Sequence, residues 1–545
     1  MRGEGALDGS PMTEWEISGS SESVEEGLLR IGLSEPVSTM DIHKTSSDYM
    51  IPLNIYERLF EVWVDEDGVA WLVDGLAEDY SVENGGQTYR FTLRDDAYFS
   101  DGSKVKASDV AFSFARMLTL PGSLQTDFAD IIYGADEVMG TPGKIPEGIR
   151  VLDDRHLEIT LSEPFEGYLY ELASPSCSVL SESFVTRAGD DYGSGVEQTM
   201  GSGPYAVTEY SEQKIRLERN PYYHCLEGES LSVRKVEIIV LPPALMAQAF
   251  LEGGLDILDT GLINPDAEEI IIHSDRWKDR IVKRSRVDIK YVMMNLDSPG
   301  LEDIRLRRAI QMAVNRQDLL DTLYGGEGSL VDGIFPKGLF GFSEENQGWL
   351  KYDLEEAKRL IREVPDVDKI HLELAANSQS NTRTLTALEM IRQDLEEAGL
   401  DVTIVSYDEK TLMYLRRNGS LMMYSGEWTA DYDDPDNFIY TFFGSSEKTH
   451  SRSSHYDDPT VFSRISKARG IQNRKARLAE YARLEKILVQ DNAVWIPLYS
   501  TGHQFVLGDR TASFSPFWAG WSSMYFRDVV LKENNETKSA QGSSR

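Results

Sequence analysis

The sequence predicts an α/β fold for a large protein. In the second half, apolar residues recur at helical spacing in several segments, and an extended run at residues 402–405 directly follows one of them. In the first half, residues 89–94 alternate apolar and polar side chains as a strand does. The chain has 545 residues, of which 41% are hydrophobic, so it can bury the core of several domains or of one multi-lobed unit.

The charge balance excludes several classes of partner. The chain carries 55 basic and 91 acidic residues, which gives a net charge of −36. Such a chain repels phosphate backbones and anionic lipid, so we expect it not to bind nucleic acid. No apolar run in the sequence reaches the length that spans a bilayer.

The sequence lacks the common motifs for metal binding and catalysis. Its two cysteines, Cys177 and Cys225, have no CxxC spacing and no companion histidines, so they predict neither a zinc site nor a disulfide framework. One bridge between them and two buried free thiols both remain open. HExxH, GxSxG and Walker motifs are absent. We therefore expect no catalytic residue, no metal and no cofactor.

Both ends of the chain are polar. Residues 1–27 are rich in Gly, Ser and Glu and are predicted to be a disordered tether. They show neither the basic nor the apolar region of a signal peptide, and no cysteine that could carry a lipid anchor. Residues 532–545 are predicted to be a disordered tail.

Strand patterns dominate the ordered part of the first half. Residues 28–33, 89–94, 156–161 and 236–241 are predicted strands. Between the second and third of them, an Asp-Gly pair at positions 101 and 102 predicts a hairpin-like turn. A helix follows, with Ser108 as its expected N-cap.

Helices and strands alternate in the second half. Apolar spacing predicts a helix over residues 304–323, a second that begins near Asp353, and a third that Gly399 ends. A further amphipathic helix covers residues 478–488, and residues 493–499 return as a strand.

The stretch from residue 427 to residue 438 is the best candidate for a functional site. Asp431 has the apolar neighbours Trp428, Ala430 and Tyr432 in the sequence. Carboxylates are rarely found in apolar surroundings unless a cation pairs with them. We therefore predict that Asp431 is functional. The following Asp433-Asp434-Pro435 is typical of a solvated turn, and a calcium loop is disfavoured because Pro435 stands where an EF-hand needs Gly.

The same stretch resembles a known family. Trp-x-Ala-Asp-Tyr-x-x-Pro, followed by Phe438, is similar to the signature of the oligopeptide-binding proteins of ABC importers, which belong to the family 5 solute-binding proteins. The strand, Ser-Asp-Gly turn and helix at residues 89–114 and the Gly-Ser-Gly-Pro-Tyr turn at residues 201–205 also resemble this family. The resemblance covers about residues 28–531.

The resemblance implies a periplasmic-binding-protein-like α/β fold with two jaws, a hinge and an extra family-specific lobe. The expected division is lobe I from residues 28–58, 176–285 and 504–531, lobe II from residues 59–175, and lobe III from residues 286–503.

The resemblance also implies a peptide site. Asp431 would pair with the peptide α-amino group, and main-chain groups near Ser425, Glu427 and Thr429 would pair with its backbone. The loop at residues 46–49, including Ser47 and Tyr49, would lie opposite. Aromatic contacts are expected from three side chains, Trp428, Phe128 and Tyr499. Some relatives carry an arginine for the peptide carboxylate where this chain has Ser425, so Arg416, Arg417 and Arg383 are the substitutes.

The implied role is capture of short peptides for the permease and ATPase subunits of an ABC importer. The expected protein is a monomer in the periplasm or lipid-anchored at the outer face of the cell membrane. Four alternatives remain open: the same fold binding a dipeptide, a nickel or other metal chelate, or another small solute, and a peptide-sensing receptor without transport. A hydrolase would be the alternative from a different class.

Overall fold

The computed structural model describes residues 25–45, 49–64, 70–224 and 232–532. Within these ranges the strands are β1 Leu28–Leu33, β2 Phe60–Val64, β3 Ala70–Asp74, β4 Ala77–Glu83, β5 Thr88–Leu93, β6 Ile149–Val151, β7 His156–Thr160, β8 Tyr205–Tyr210, β9 Lys214–Arg219, β10 Lys235–Val240, β11 Ile257–Asp259, β12 Ile281–Ser285, β13 Asp288–Met294, β14 Ser329–Leu330, β15 His371–Asn377, β16 Asp401–Tyr407, β17 Met423–Thr429, β18 Trp495–Ser500, β19 Gly502–Leu507, β20 Thr511–Ser513 and β21 Val530–Leu531.

The helices of the same ranges connect these strands. They are α1 Pro52–Ile55, α2 Ala107–Thr119, α3 Ala135–Val138, α4 Tyr168–Glu171, α5 Glu182–Ala188, α6 Pro243–Leu251, α7 Pro265–Ile272, α8 Ile304–Ala313, α9 Arg316–Tyr324, α10 Leu354–Arg362, α11 Thr382–Glu397, α12 Glu409–Arg417, α13 Asp436–Phe443, α14 Ser446–Ser451, α15 Pro459–Arg469 and α16 Arg474–Lys486. None of these helices is both long and apolar enough to cross a membrane. The mixture of helices and sheets confirms the predicted α/β class.

Three larger sheets organise the described chain. The first has seven strands in the order β12-β19-β11-β1-β10-β9-β8, and β1 pairs in parallel with both β10 and β11. The second has six strands in the order β14-β18-β13-β17-β15-β16. The third has four antiparallel strands in the order β4-β5-β7-β6. Sequentially distant strands thus meet in the first sheet, while the third is built locally.

The six-stranded sheet is buried on both faces. In β13, Tyr291 and Met293 pack in one apolar cluster, whereas Val292 and Met294 pack in another on the opposite face. Helices α8, α9 and α11 supply side chains to the second cluster. Burial on both faces explains why residues 291–294 of β13 are a continuous apolar run rather than an alternating pattern.

Most of the predicted elements are confirmed, with two corrections. The helix predicted over residues 304–323 is two helices, because Val314 has an extended backbone and Asn315 begins a new helix by accepting a hydrogen bond from the backbone N of Asp318. Helix α2 begins at Ala107 rather than after Ser108. At the N-terminus of α2, the Asp109 carboxylate accepts a hydrogen bond from the backbone N of Lys106, the N-cap residue, at 2.9 Å.

The prediction for the cysteines is tested for only one of the two. Cys177 is a buried free thiol, and burial raises its pKa well above the usual value. Cys225 lies outside the described residues, as do the first 24 residues of the predicted tether and residues 533–545.

Candidate ligand-binding site

A cavity of about 480 Å³ lies where three parts of the chain meet. One wall follows the end of β17 and runs from Trp428 to Tyr432. A second wall comes from residues 124–130, between α2 and α3, together with Glu171 at the end of α4. The third comes from Tyr49 and residues 521–523. A cavity of this size is in the range of those that hold small ligands.

The Asp431 carboxylate is held in place by one neighbour. The backbone N of Asp431 donates to the side-chain oxygen of Asn437 at 3.0 Å, and the Asn437 amide donates back to Oδ2 of Asp431 at 3.0 Å. Oδ1 accepts no hydrogen bond from the described residues, and none of their cationic groups lies within 4.0 Å of the carboxylate. Asp431 lines the cavity, so this oxygen is available to a ligand.

Trp428 is part of the same arrangement. Its Nε1 donates to the side-chain oxygen of Asn437 at 3.2 Å, and its ring packs edge-on against Phe442 with a centroid separation of 5.3 Å. The guanidinium of Arg452 lies 5.1 Å from the ring centroid. Asn437 therefore fixes the tryptophan and the aspartate of the motif relative to each other.

The surroundings of Asp431 disfavour its ionised form. Burial raises its pKa to about 6, Asp127 adds to this increase, and the hydrogen bond from Asn437 and the charge of Arg452 oppose it. A cation bound at the carboxylate would favour ionisation again. The site therefore presents an acid whose ionised form is favoured most by a positively charged ligand.

Binding of an amine at Asp431 is expected to weaken as the pH falls. The pKa of this carboxyl is raised to about 6, so it is protonated as the pH drops through that value, and only the ionised form attracts a cation. Below pH 6, the affinity should fall by about tenfold for each pH unit, as for the uptake of one competing proton. Titration calorimetry from pH 5 to pH 7.5 measures this, and an affinity that stays constant over that range would contradict it.

The second and third walls are joined by aromatic and polar contacts. The rings of Tyr49 and Trp521 stack with their centroids 5.1 Å apart. The Gln125 amide donates to the Tyr49 hydroxyl at 3.3 Å and to the carbonyl oxygen of Thr45. Gln125 is buried, so these bonds hold Thr45 and Tyr49 against the segment that carries Phe128.

Five of the residues predicted for the site line the cavity. They are Asp431, Trp428, Thr429, Tyr49 and Phe128. Three come from the single stretch that the sequence singled out, and the other two come from opposite walls. The structure thus brings these side chains together around one space, while their roles toward a ligand stay predictions.

Other predicted residues lie away from the cavity wall. The Glu427 carboxylate forms ion pairs with Lys290 and with Arg286, the latter at 2.9 Å. Tyr499 is only 2% exposed, and its ring packs edge-on against Tyr324. The side chains of Glu427 and Tyr499 thus contact protein neighbours rather than the cavity, and the roles of these residues toward a ligand stay predictions.

The arginines nominated for a peptide carboxylate also lie outside the cavity wall. Arg416 is in the last turn of α12, next to Arg417, and the carbonyl oxygen of Arg416 accepts a hydrogen bond from Ser453. Arg383 is paired with Glu268 at 2.6 Å. The side chain of Ser425 does not line the cavity either, and Ser47 lies outside the described residues.

The acidic turn after Asp431 is not the solvated turn that its composition predicts. Asp434 is 1% exposed and forms a two-point ion pair with Arg477 at 2.6 and 2.8 Å. Asp436 is fully buried and pairs with Arg469 at 3.1 Å. Asp433 is also buried and accepts a hydrogen bond from a backbone N–H. The prediction was wrong because both arginines come from α15 and α16, distant in sequence.

One edge of β17 is open near the cavity. The strand pairs with β13 along its whole length, from Met423 to Thr429. On its other side it pairs with β15 only at Met423 and Tyr424. Within the described residues, the main chain from Ser425 to Thr429 therefore has an edge that no other strand covers, and the end of this edge borders the cavity.

Several wall residues were not singled out from the sequence. Asn437 lies in the predicted stretch, and its place six residues after Asp431, in the first turn of α13, is the signal that could have identified it. Asp127, Asp130 and Glu171 come from the second wall, and Lys448 comes from α14. These four have no local motif, because only the packing of distant segments brings them to the cavity.

Comparisons with known proteins agree on the family. The family model described as "Bacterial extracellular solute-binding proteins, family 5 Middle" matches residues 72–450. The peptide transport periplasmic protein SapA of Salmonella typhimurium is 26% identical over 493 residues, which cover 86% of each chain. The di/tripeptide-binding protein 2 of Pseudomonas aeruginosa is 26% identical over 449 residues, covering 79% of this chain and 81% of that protein.

A solved structure shows the same fold. The Helicobacter pylori periplasmic binding protein DppA, in complex with the peptide STSA, superposes with a TM-score of 0.76 at 22% identity, covering 93% of this chain and 98% of that one. The family match spans well over half of the sequence. The chain therefore belongs to the family 5 bacterial extracellular solute-binding proteins.

Proposed function

We propose that this protein captures short peptides outside the cytoplasm and delivers them to the permease and ATPase subunits of an ABC importer. The observation that carries the proposal is the Asp431 carboxylate, which is oriented by Asn437 while its Oδ1 faces no cation among the described residues. A free α-amino group is the cation that every unmodified peptide presents. The peptide-binding names of the relatives support the same ligand class.

The open edge of β17 supports the second part of the proposal. Main-chain groups from Ser425 to Thr429 can pair with a peptide backbone in the manner of an added strand. Such pairing uses atoms that all peptides share, so it accepts many sequences. Trp428, Tyr49 and Phe128 contribute aromatic surface around this backbone. In this arrangement the amine fixes the direction and register of the peptide, and side-chain identity matters less.

The three larger sheets support the proposed division into lobes. Each has its own apolar cluster or pair of clusters, and the cavity lies between the parts that carry them. The jaws close on the peptide by a hinge motion, which is a shift of population toward the closed state, and the permease recognises that state. The protein acts as a monomer, binds no nucleic acid and releases the peptide unaltered.

Native mass spectrometry of the purified protein tests this function. The expected result is a set of short peptides with free N-termini, released on denaturation. The Asp431→Ala variant should lose them, and Asp457→Ala should retain them, because Asp457 is exposed in the same half of the chain and lies outside the cavity wall. A metal chelate or one small solute, retained by Asp431→Ala, would contradict peptide capture and favour the alternative ligands.

A further inference from the structure

The charges in the cavity wall are unbalanced. The wall contains four acidic side chains, Asp127, Asp130, Glu171 and Asp431, and three basic ones, Arg286, Lys448 and Arg469. Two of the basic side chains are neutralised by acids outside the wall. Arg286 pairs with Glu427 at 2.9 Å, and Arg469 pairs with Asp436 at 3.1 Å and with Glu163 at 3.0 Å.

None of the four acidic side chains has an ion pair within 4.0 Å in the described chain. Lys448 is the one wall cation there without such a pair, and its ammonium lies 4.6 Å from the centre of the Tyr440 ring. The wall therefore presents four acids against one available ammonium. Asp431 can pair with one positive group of a ligand. Three acidic side chains then remain, and Lys448 supplies only one positive charge for them.

Glu171 is the clearest candidate for a binding group in this wall. It is the last residue of α4, only 4% of it is exposed, and it lines the cavity. Its Oε1 is buried and accepts no hydrogen bond from any described residue. A buried acceptor without a donor is costly. A ligand that brings an N–H group to this part of the cavity would remove that cost.

Neighbouring acids make the same region favourable for a positive charge. Burial raises the pKa of Asp130 to about 6, with a further increase from Asp127 and a decrease from Lys448. Burial also raises the pKa of Glu171 well above its usual value. The charge of Arg469 opposes this increase, and Asp130 and Asp127 add to it. Asp127 acts on Asp431 as well, so the acids extend from the Asp431 site toward Glu171.

The arrangement favours an organic cation over a metal ion. No three His, Cys, Asp or Glu side chains in the described ranges converge as a set that could hold a metal. The acids are instead spread along the wall, where an ammonium or guanidinium on a flexible stem can reach them.

We propose that Asp127, Asp130 and Glu171 form a subsite for the basic side chain of a peptide whose α-amino group is bound at Asp431. This inference rests on the proposed function, because it needs a peptide amine at Asp431. It adds a side-chain preference that the pairing of main-chain groups does not supply. Peptides with lysine or arginine near the N-terminus are therefore the favoured ligands.

Tripeptides that differ only in one charge test the subsite. Titration calorimetry would compare Ala-Ala-Ala with peptides in which lysine, or its uncharged analogue norleucine, occupies each of the three positions in turn. For at least one position, lysine should bind about ten- to a hundredfold more tightly than norleucine, which is the order of a charge-assisted hydrogen bond. Equal affinities at all three positions would overturn the proposal.

Two variants locate the effect. Glu171→Gln and Asp130→Asn should each reduce the lysine-to-norleucine ratio severalfold. The control Glu137→Gln should leave the ratio unchanged, since Glu137 is an exposed residue of α3 outside the cavity wall and loses the same charge. If Glu171→Gln does not fold, as judged by circular dichroism, Asp130→Asn carries the test alone. If neither Glu171→Gln nor Asp130→Asn changes the lysine-to-norleucine ratio, the assignment of the subsite to this wall is overturned.

The same peptides separate this inference from the function on which it rests. If Ala-Ala-Ala binds and its N-acetylated form does not, the amine site is supported, and equal binding of lysine and norleucine peptides then rejects the subsite alone. If no tripeptide binds, or if acetylation has no effect, the proposed function itself fails.

Discussion

The Asp431→Asn variant is expected to lose about 2–5 kcal/mol of peptide-binding free energy, which is roughly thirtyfold or more in the dissociation constant. Asparagine keeps the size of the side chain and can still contact Asn437, which holds the native carboxylate at 3.0 Å. It removes the charge that the peptide α-amino group meets. Titration calorimetry with Ala-Ala-Ala at pH 7.5 measures the change.

An N-acetylated peptide completes this test as a double-mutant cycle. Acetylation removes the positive charge from the ligand, so Asp431→Asn should cost the acetylated peptide little. The two changes together should cost much less than the sum of their separate effects. The control Asp457→Asn should bind as the native protein does. Independent, additive losses would mean that the amine and Asp431 do not meet.

The Arg477→Met variant is expected to lower the free energy of unfolding by about 3–5 kcal/mol. Arg477 is buried in α16 and binds the Asp434 carboxylate through two hydrogen bonds, at 2.6 and 2.8 Å. Methionine fits a helix but leaves Asp434 as a buried charge without its partner. The loss should appear in thermal or denaturant unfolding as a clear decrease in the midpoint.

A second arginine of the same helix provides the matched control. The Arg483 side chain is 67% exposed and pairs with Glu480 at 3.2 Å, so Arg483→Met should cost about 1 kcal/mol or less. Adding Asp434→Asn to Arg477→Met should recover part of the stability, because it removes the isolated charge. Equal midpoints for the two arginine variants would show that the buried pair contributes no more than an exposed one.

Local patterns were sufficient to predict the elements that depend on neighbouring residues. The predicted strand at residues 28–33 is β1, and Asp353 begins α10 by accepting a hydrogen bond from the backbone N of Glu356 at 3.0 Å. Gly399, with a φ of +98°, follows the end of α11. Capping and turn conformations are set within a few residues, so one sequence can reveal them.

The site could be predicted only in part, because only some of its contacts join residues that are near each other in the sequence. Asp431 and Trp428 share a short stretch with Asn437, and the hydrogen bonds that orient them are local. Glu171 and Lys448 reach the cavity from α4 and α14, and nothing in their immediate sequence indicates this. The acids after Asp431 were misjudged because their partners, Arg469 and Arg477, lie about 33 to 43 positions away.

The open edge of β17 also has a consequence for solubility. An uncovered strand edge is a template on which other chains can aggregate by adding strands of their own. Here the uncovered main chain is short, from Ser425 to Thr429, and only its last residues border the cavity of about 480 Å³. The shortness of this edge leaves few main-chain groups on which a second copy could add a strand, which favours a soluble protein.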